Sequence, residues 1–457
     1  MTEGVAVEMP LDGIVEGVTQ ALNREAVEAQ GAGEPQWLRE RRAHAWSVYE
    51  RTPMPTTRLE EWRYTDLSRV LKLDSLTLQG DGGVDLDELK ETLPIRLQEA
   101  MDEDEAASGH LVLVDGQVVR ADLEEELARQ GVILMSLHRA VEEHGELVRK
   151  HLAVEALPPE EGKFPALNAA LWTDGIFLHV PKGVHLELPI RVTRWISRSG
   201  AAVFNRTLIV AEPHSRVSYV DELLSDDLKA QTLTSSGVEV IARDGAQVQY
   251  VSVQRLGKKA FQQSAQRTLA YRDSTLDTLN VTLGASVARV DLSAQLLGPG
   301  ANSDMLGLYF ADGDQHFDHN TRQDHISPNT NSDLLYKGAL DGTSRTVFRG
   351  IIRVHKGAQR TDAYQTNRNL LLSDEARSDS LPNLEIEADD VKCSHGATVG
   401  QLDAEALFYL MSRGLSRIQA ERLVVLGFLG EVLGRLPLGG VATKVTRVIE
   451  EKLAHHG

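Results

Sequence analysis

The 457-residue chain carries 48 Lys and Arg against 67 Asp and Glu, a net charge of −19, with 42% hydrophobic residues, 5% aromatics and a single cysteine. That balance excludes a nucleic-acid surface and an anionic membrane face, which need clustered cations; one thiol excludes a four-thiolate iron–sulfur or zinc site and an internal disulfide. Length predicts about three domains, no apolar run reaches the roughly 18 residues of a membrane span, and Glu3, Glu8, Asp12 and Glu16 precede the first cation, Arg24, so a cationic leader is not expected and a cytoplasmic protein is.

Ile14, Val18 and Leu22 recur every fourth residue, which predicts a helix over 11–31 ended by Gly31 to Gly33. A second helix is expected from Gln36, carrying Trp37, Trp46 and Tyr49 and stopped by Pro53 and Pro55. Residues 81–105 hold ten acidic side chains against two basic ones, as in a solvated helical face and loop. Asp115-Gly116 between the apolar runs 110–114 and 117–121 predicts a β-hairpin. A further helix is expected over Leu137–Leu152. The expected division is a helical region over 1–108, an α/β connection with the hairpin over 109–165, a β core over 166–400 and a helical domain over 401–457.

Within the core, helical spacing gives way to short alternating runs closed by small or polar residues. Turns at Lys182-Gly183, His214-Ser215, Asp244-Gly245, Asp273-Ser274 and Pro299-Gly300 lie 32, 30, 29 and 26 residues apart by their second members. Later turns, at Gly357-Ala358 and Glu375-Ala376, break the pitch. A repeating strand and turn over this length favours a parallel β-helix, with a large open antiparallel sheet as the alternative.

Beyond residue 400 helical pattern returns. Asp403 is placed to cap one helix, Gly414 to end it, and Ser416 with Gln419 forms a capping-box pattern for the next. That next helix is apolar nearly all round, and a last one aligns Val441, Val445, Val448, Ile449 and Leu453. Seven cations against six anions from 401 onward leave this part nearly neutral. A docking element and a helical cap on the solenoid both fit.

Two constellations could carry chemistry. Cys393 and His395 are two apart, so an extended strand projects thiol and imidazole to one face. Lys392 and His395 favour the thiolate, the form that binds metal or attacks a persulfide, while Asp389 and Asp390 oppose it; a small buried hydrophobe is the plain alternative. His316, Asp318 and His319, followed by Asp324 and His325, could hold a metal, though ladder residues in a polar solenoid explain them too. The run Glu60 to Thr65 reads as a partly buried Trp62 with local ion pairs, or as a docking surface. No Walker loop, nucleophile elbow or dinucleotide fingerprint occurs.

The run Ala388 to Gly400, with Leu402-Asp403 and Ala406 to Gly414, resembles the SufD family of iron–sulfur cluster assembly subunits. Glu61 to Asp66, His316 to His325, Leu335 to Gly338 and Ala363 to Leu372 extend the resemblance over about residues 55–435. The resemblance implies a mainly β fold, a right-handed parallel β-helix between α-helical N- and C-terminal domains. It implies a scaffold without catalysis of its own, in a SufBCD complex with one SufB-like chain, paired through the β-helix ends, and two SufC-like ATPases on the C-terminal helices. The expected docking residues are Leu407, Phe408, Leu410, Leu426, Phe428 and Leu429. It further implies a transient cluster shared with a SufB cysteine, with His395 as iron ligand and Cys393 as second participant; whether a flavin joins stays open. A carbohydrate-active β-helix enzyme using Asp318 and Asp324 as acid and base, and a homodimeric scaffold, are the competing readings.

Overall fold

The computed structural model describes residues 21–78, 94–101, 106–436 and 438–454. Its centre is a parallel β-solenoid of about eight turns. From Asp174 onward successive strands go alternately to two sheets, one of nine strands and one of ten, so each coil adds one rung to both. Pairing is parallel except at two places near the start: the hairpin of Gly109–Val114 with Gln117–Leu123, and Ile133–Ser136 against Asp174–Val180. The parallel ladders rule out the open antiparallel sheet. The hairpin turn has both Asp115 and Gly116 at positive φ (48° and 86°), the conformation that Asp-Gly favours.

Turn chemistry explains the repeat and its apparent loss. Gly183, His214, Gly245, Asp273 and Gly300 all adopt positive φ, and all lie on one edge of the solenoid, where the chain leaves the nine-stranded sheet. The next turns on that edge contain Asn329 and Arg360, again left-handed. Glu375-Ala376 lies on the opposite edge, between the strands Thr361–Leu371 and Arg377–Ile386. Combining two edges shortened the apparent pitch. The rungs themselves stay about 30 residues apart: Asn302 pairs with Asn331, and Thr361 with Val391.

Side chains between the sheets stack in columns because parallel in-register residues share a face. Tyr219 stacks on Tyr250 at 5.5 Å, and Tyr309 on His319 at 4.8 Å. Gly307 and Gly338 make room for this aromatic layer. A Cβ on Gly338 would lie 1.9 Å from the Tyr309 ring, and one on Gly307 2.2 Å from the Tyr336 ring.

Helices cover both outer faces and are fastened there by buried charge. Lys163–Leu171, apolar nearly all round, lies between Gln36–Arg51 and the nine-stranded sheet. Below it Arg206 and Glu239, both 0% exposed, form an ion pair at 2.6 Å. Glu239 also accepts from the amides of Ala153 and Leu157, which ties the connecting segment to the sheet. Arg42 is bound bidentately by Glu34 and donates to the carbonyls of Ala170 and Trp172. On the ten-stranded sheet the helices Arg417–Arg435 and Gly439–Ala454 bury Val425, Leu429, Val445 and Ile449. Lys444 reaches Glu222 at 2.5 Å beside Arg255. Such pairs cost desolvation, but stranding either partner would cost about 3–5 kcal/mol, so they specify where the helices sit.

Several local expectations meet the structure directly. Asp403 caps Ala404–Ser412, and the Ser416–Gln419 capping box is present with both hydrogen bonds. Gly414 has φ 96°. The helix expected over Leu137–Leu152 is instead two, Leu137–Glu143 and Gly145–His151, because His144 leaves helical geometry (φ −130°, ψ 33°) ahead of Gly145. Of the helix expected over 11–31, residues 11–20 lie outside the described residues; 21–23 are not helical, Ala21 forming a bridge with Thr77, and the helix begins only at Arg24, capped by Asn23, and runs to Gln30. Most of the acidic run 81–105 also lies outside them, and Ile95–Met101 within it is helical. Among the described residues no helix is long and apolar enough to cross a membrane.

One column of the ten-stranded sheet stacks Asp277, Asp304 and Asp333 in register. Arg435 pairs with Asp333 at 2.6 Å and Asp304 at 3.4 Å but not with Asp277. Burial first, and the Asp304 charge second among the raising influences, push the Asp277 carboxyl up to about 6. A raised folded-state pKa means that the folded chain holds a proton the unfolded chain has released, so stability falls as pH rises from about 4 to 6. Asp277→Asn keeps the acceptor for the Asp304 amide and is expected to stabilise the chain by about 2 kcal/mol at pH 7 and by nothing near pH 3.5. Urea melts at the two pH values check this; equal gains at both would refute it.

Candidate functional site

A parallel solenoid satisfies the hydrogen bonds of each strand with the next coil, and its last strands have no next coil. Arg377–Ile386 and Val391–Gln401 stand at the ends of their sheets. At the other end the edge is blunted: Ile133–Ser136 is four residues long, and the hairpin carries a register shift at Val112/Leu113. Long, flat edge strands are association surfaces, whereas short and bulged ones resist pairing. Pro382 interrupts the donor row of Arg377–Ile386, but Val391–Gln401 contains no proline and is exposed along most of its eleven residues.

Cys393 and His395 lie on that terminal strand. They sit in register over Ala363 and Gln365, both fully buried between the sheets, so thiol and imidazole share the inward face, as the two-residue spacing predicts. Cys393 is half-buried and packs against the cluster of Ile352, Val354, Ala358 and Ala363. His395 is exposed at the uncapped end. Lys392 belongs to the opposite face of the strand, so its expected help to the thiolate does not materialise. Burial pushes the Cys393 thiol up, and the Asp362 carboxylate adds to it. The resting group is the thiol. Together the pair offers one soft and one borderline ligand, and among the described residues no group of three or more His, Cys, Asp or Glu is placed to hold a metal.

The second constellation does not converge. His316 and Asp318 face outward, under the segment 60–66, while His319 faces the interior. Asp318 accepts from Arg289 at 2.7 Å and from the Thr65 hydroxyl. His316 Nε2 lies 2.8 Å from Thr65 Oγ1. Arg289 also donates to the Glu61 carbonyl and stacks 4.1 Å from the Trp62 ring centroid. Trp62 in turn stacks on Phe164. This cluster clamps the N-terminal segment to the sheet. His319, pushed down to about 4 by burial, stacks on Tyr309 and has its Nε2 3.0 Å from Thr282 Oγ1. His325 has both ring nitrogens within hydrogen-bond reach of Thr330 and Ser332. Asp324 binds His355 at 2.7 Å. Six residues apart on one strand, Asp318 and Asp324 are separated by about 20 Å, well beyond the roughly 5–10 Å of a glycosidic acid–base pair.

The expected docking residues divide. Leu429 is fully buried and Leu407 nearly so, while Leu410, Leu426 and Phe428 are half-buried. Phe428 lies under the Lys337 ammonium, 4.5 Å from its ring centroid, and its carbonyl accepts from Lys337. Phe408 stands out at 73% exposed, joined by Tyr409, Met411, Ile418 and Leu423. Helical periodicity alone could not separate these, because the helix Arg417–Arg435 is apolar on more than one face.

Family models place the chain. The SUF system FeS cluster assembly SufBD core domain matches residues 194–428, and the SufBD protein N-terminal region matches 20–192. The chain belongs to the SufBD family of iron–sulfur cluster assembly proteins. It is similar to the iron–sulfur cluster assembly protein SufD of Bacillus subtilis, 32% identical over 92% of this chain and 95% of that protein. It is likewise similar to an iron–sulfur cluster assembly SufBD family protein of Staphylococcus epidermidis, 30% identical over 91% of this chain and 89% of the relative, and to one of Staphylococcus aureus, 29% identical over 95% and 92%. The solenoid of this SufBD-family chain occupies most of the matched core region.

Since Cys393 is the sole thiol, its reactivity can be read without labelling ambiguity. Its iodoacetamide rate is expected to rise with a midpoint above the ~8.5 of free cysteine, and Asp362→Asn to lower that midpoint. A midpoint at or below the free value in the unmodified chain would contradict the burial argument.

Proposed function

We propose that this chain is a scaffold subunit of a cytoplasmic SufBCD complex, without ATPase chemistry of its own, in which a nascent iron–sulfur cluster forms where its solenoid end meets that of a SufB-like chain. The supporting observation is the open end itself: an unpaired, proline-free strand carrying an exposed imidazole and a half-buried thiol, with no further ligands around them among the described residues. A partner strand added to Val391–Gln401 satisfies its free backbone groups and excludes water from the end of the core. In this arrangement the neutral His395 ring gives a lone pair to iron, the cluster being cargo, and the remaining ligands come from the SufB-like chain. Cys393, protonated at rest, becomes a ligand only on losing its proton to iron binding.

The exposed apolar group of Phe408, Tyr409, Met411, Ile418 and Leu423 is the proposed seat of a SufC-like ATPase. Phe408, Tyr409 and Met411 lie on Ala404–Ser412, which packs on Arg417–Arg435; Ile418 and Leu423 lie on that longer helix, whose other face is packed on the ten-stranded sheet, so a nucleotide-driven movement of the ATPase is transmitted to the solenoid through it. Deleting the whole C-terminal domain would uncover Leu306, Leu308 and Glu222 and damage the core, so surface substitutions are the cleaner probe.

Two outcomes test the reading. Anaerobically assembled His395→Ala complex is expected to keep its subunit ratio by size exclusion while iron and sulfide loading falls about tenfold or more, at least the cost of losing an outer partner of a metal ligand; normal loading would sink the ligand role. Phe408→Asp with Tyr409→Asp is expected to weaken capture of a SufC-like ATPase by at least about 30-fold, as for central aromatic anchors, with the melting temperature unchanged because both rings are exposed. Undiminished capture would place the ATPase elsewhere, and recovery of the unmodified chain only as a pair with itself would favour the homodimeric scaffold.

A further inference from the structure

The inward face of the penultimate strand, Thr361–Leu371, is formed by Thr361, Ala363, Gln365, Asn367 and Asn369, all buried. Its polar members are satisfied with one exception. Asn369 Nδ2 donates to Asn367 Oδ1 at 2.8 Å, Asn367 Nδ2 donates to the Tyr309 hydroxyl at 3.2 Å, and Ser380 Oγ donates to Asn367 Oδ1 at 2.7 Å. Thr361 donates to the Ala358 carbonyl at 2.9 Å. Gln365 is 0% exposed, yet neither its Oε1 nor its Nε2 has a partner. Leaving a buried amide unpaired costs about 1–3 kcal/mol.

The position of this side chain is constrained. It lies across the core over the backbone of Gly350, where a Cβ would come within 2.4 Å of Nε2. Its neighbour in register on the terminal strand is His395. Paired residues of a parallel ladder project to the same face about 4.8 Å apart, within the span of a glutamine side chain. Beyond His395 the sheet ends, so an imidazole turned inward has Gln365 on one side and the open end of the solenoid on the other.

We propose that Gln365 is the positioning residue of His395. Its Oε1 accepts the N–H of one ring nitrogen when the imidazole turns inward, which leaves the other nitrogen unprotonated and aimed out of the open end. The protonation of one imidazole nitrogen is set by the hydrogen bond that the other makes, and ligating histidines are commonly oriented in this way by an outer partner. The otherwise unexplained buried amide thus acquires a function at the mouth of the core. This inference rests on the reading of His395 as an iron ligand given above.

The test uses full-length chain labelled with nitrogen-15 in histidine, in which imidazole shifts report the tautomer of His395, assigned by its loss in His395→Ala. One dominant tautomer is expected in the unmodified chain and relaxation toward the mixture of a free imidazole in Gln365→Leu. Because Nε2 stays without a partner even when Oε1 accepts from His395, and the exposed imidazole can turn to water, the melting temperature of Gln365→Leu is expected to hold or rise, whereas a purely structural glutamine predicts a fall with no tautomer change. Gln365→Met, unbranched and similarly long, serves as a second variant should the leucine disturb packing. Unchanged tautomer populations in both variants would overturn the proposal. In the anaerobic complex, Gln365→Leu is expected to lower iron loading about tenfold and to add nothing in a His395→Ala background. Normal loading in His395→Ala would instead defeat the ligand reading while leaving the tautomer result standing, so the two failures are distinguishable.

Discussion

The hydrogen bonds of a parallel ladder run between coils, not within them, and the architecture of this SufBD-family protein follows from that. Each strand is satisfied only when another coil is laid on it, so the need for a partner is passed along the solenoid to its last strands. At the beginning it is absorbed by antiparallel strands, one of them short, the other part of a bulged hairpin. At the end it is left open on Val391–Gln401. The fold therefore has a polarity: one end is blunted, and the other presents a long, open strand edge.

The outer faces are closed by a different means. Helices from both termini bury apolar rows on the two sheets and are held by internal charge, with Arg206–Glu239 and Arg289–Asp318 on one side and Lys444–Glu222 on the other. One of these pairs occupies Asp318, a carboxylate that a glycosidase or metal site there would need. Among the described residues, the candidate chemistry is at the open end, and a group of exposed apolar side chains surrounds Phe408. The helices Arg417–Arg435 and Gly439–Ala454 are packed on the ten-stranded sheet, so under the proposed docking a force applied to them acts on the ladder rather than on a loose linker.

The chemistry at the open end is limited by ligand number. One imidazole and one thiol, the latter held protonated by burial and by Asp362, cannot complete the coordination of a cluster. The proposed site, incomplete in one chain and on an open edge, is suited to transient assembly, because separation of the two surfaces would remove ligands and protection together. Gln365 beneath His395 fits the same logic: an orienting group buried where solvent cannot compete for it.

Much was legible from local chemistry. Asp115-Gly116 specified its hairpin, Asp403 and Ser416 their helix starts, and the turn residues the solenoid pitch, since each acts through its own backbone or that of residues three or four away. The two-residue spacing of Cys393 and His395 determined their common face, and the lone cysteine excluded a four-thiolate site within this chain. Tertiary structure alone decided the rest. That His316 and His319 diverge follows from strand alternation once the strand is known, but that Arg289 and Thr65 occupy Asp318 depends on contacts across 29 and 253 residues. That Gln365 lies under His395, and that burial and then Asp362 push the thiol up with no help from Lys392, depends on coil register, which is the sum of every turn and strand length between them. No short window of sequence contains that sum, and the physical reason is that a solenoid makes its contacts one whole coil apart.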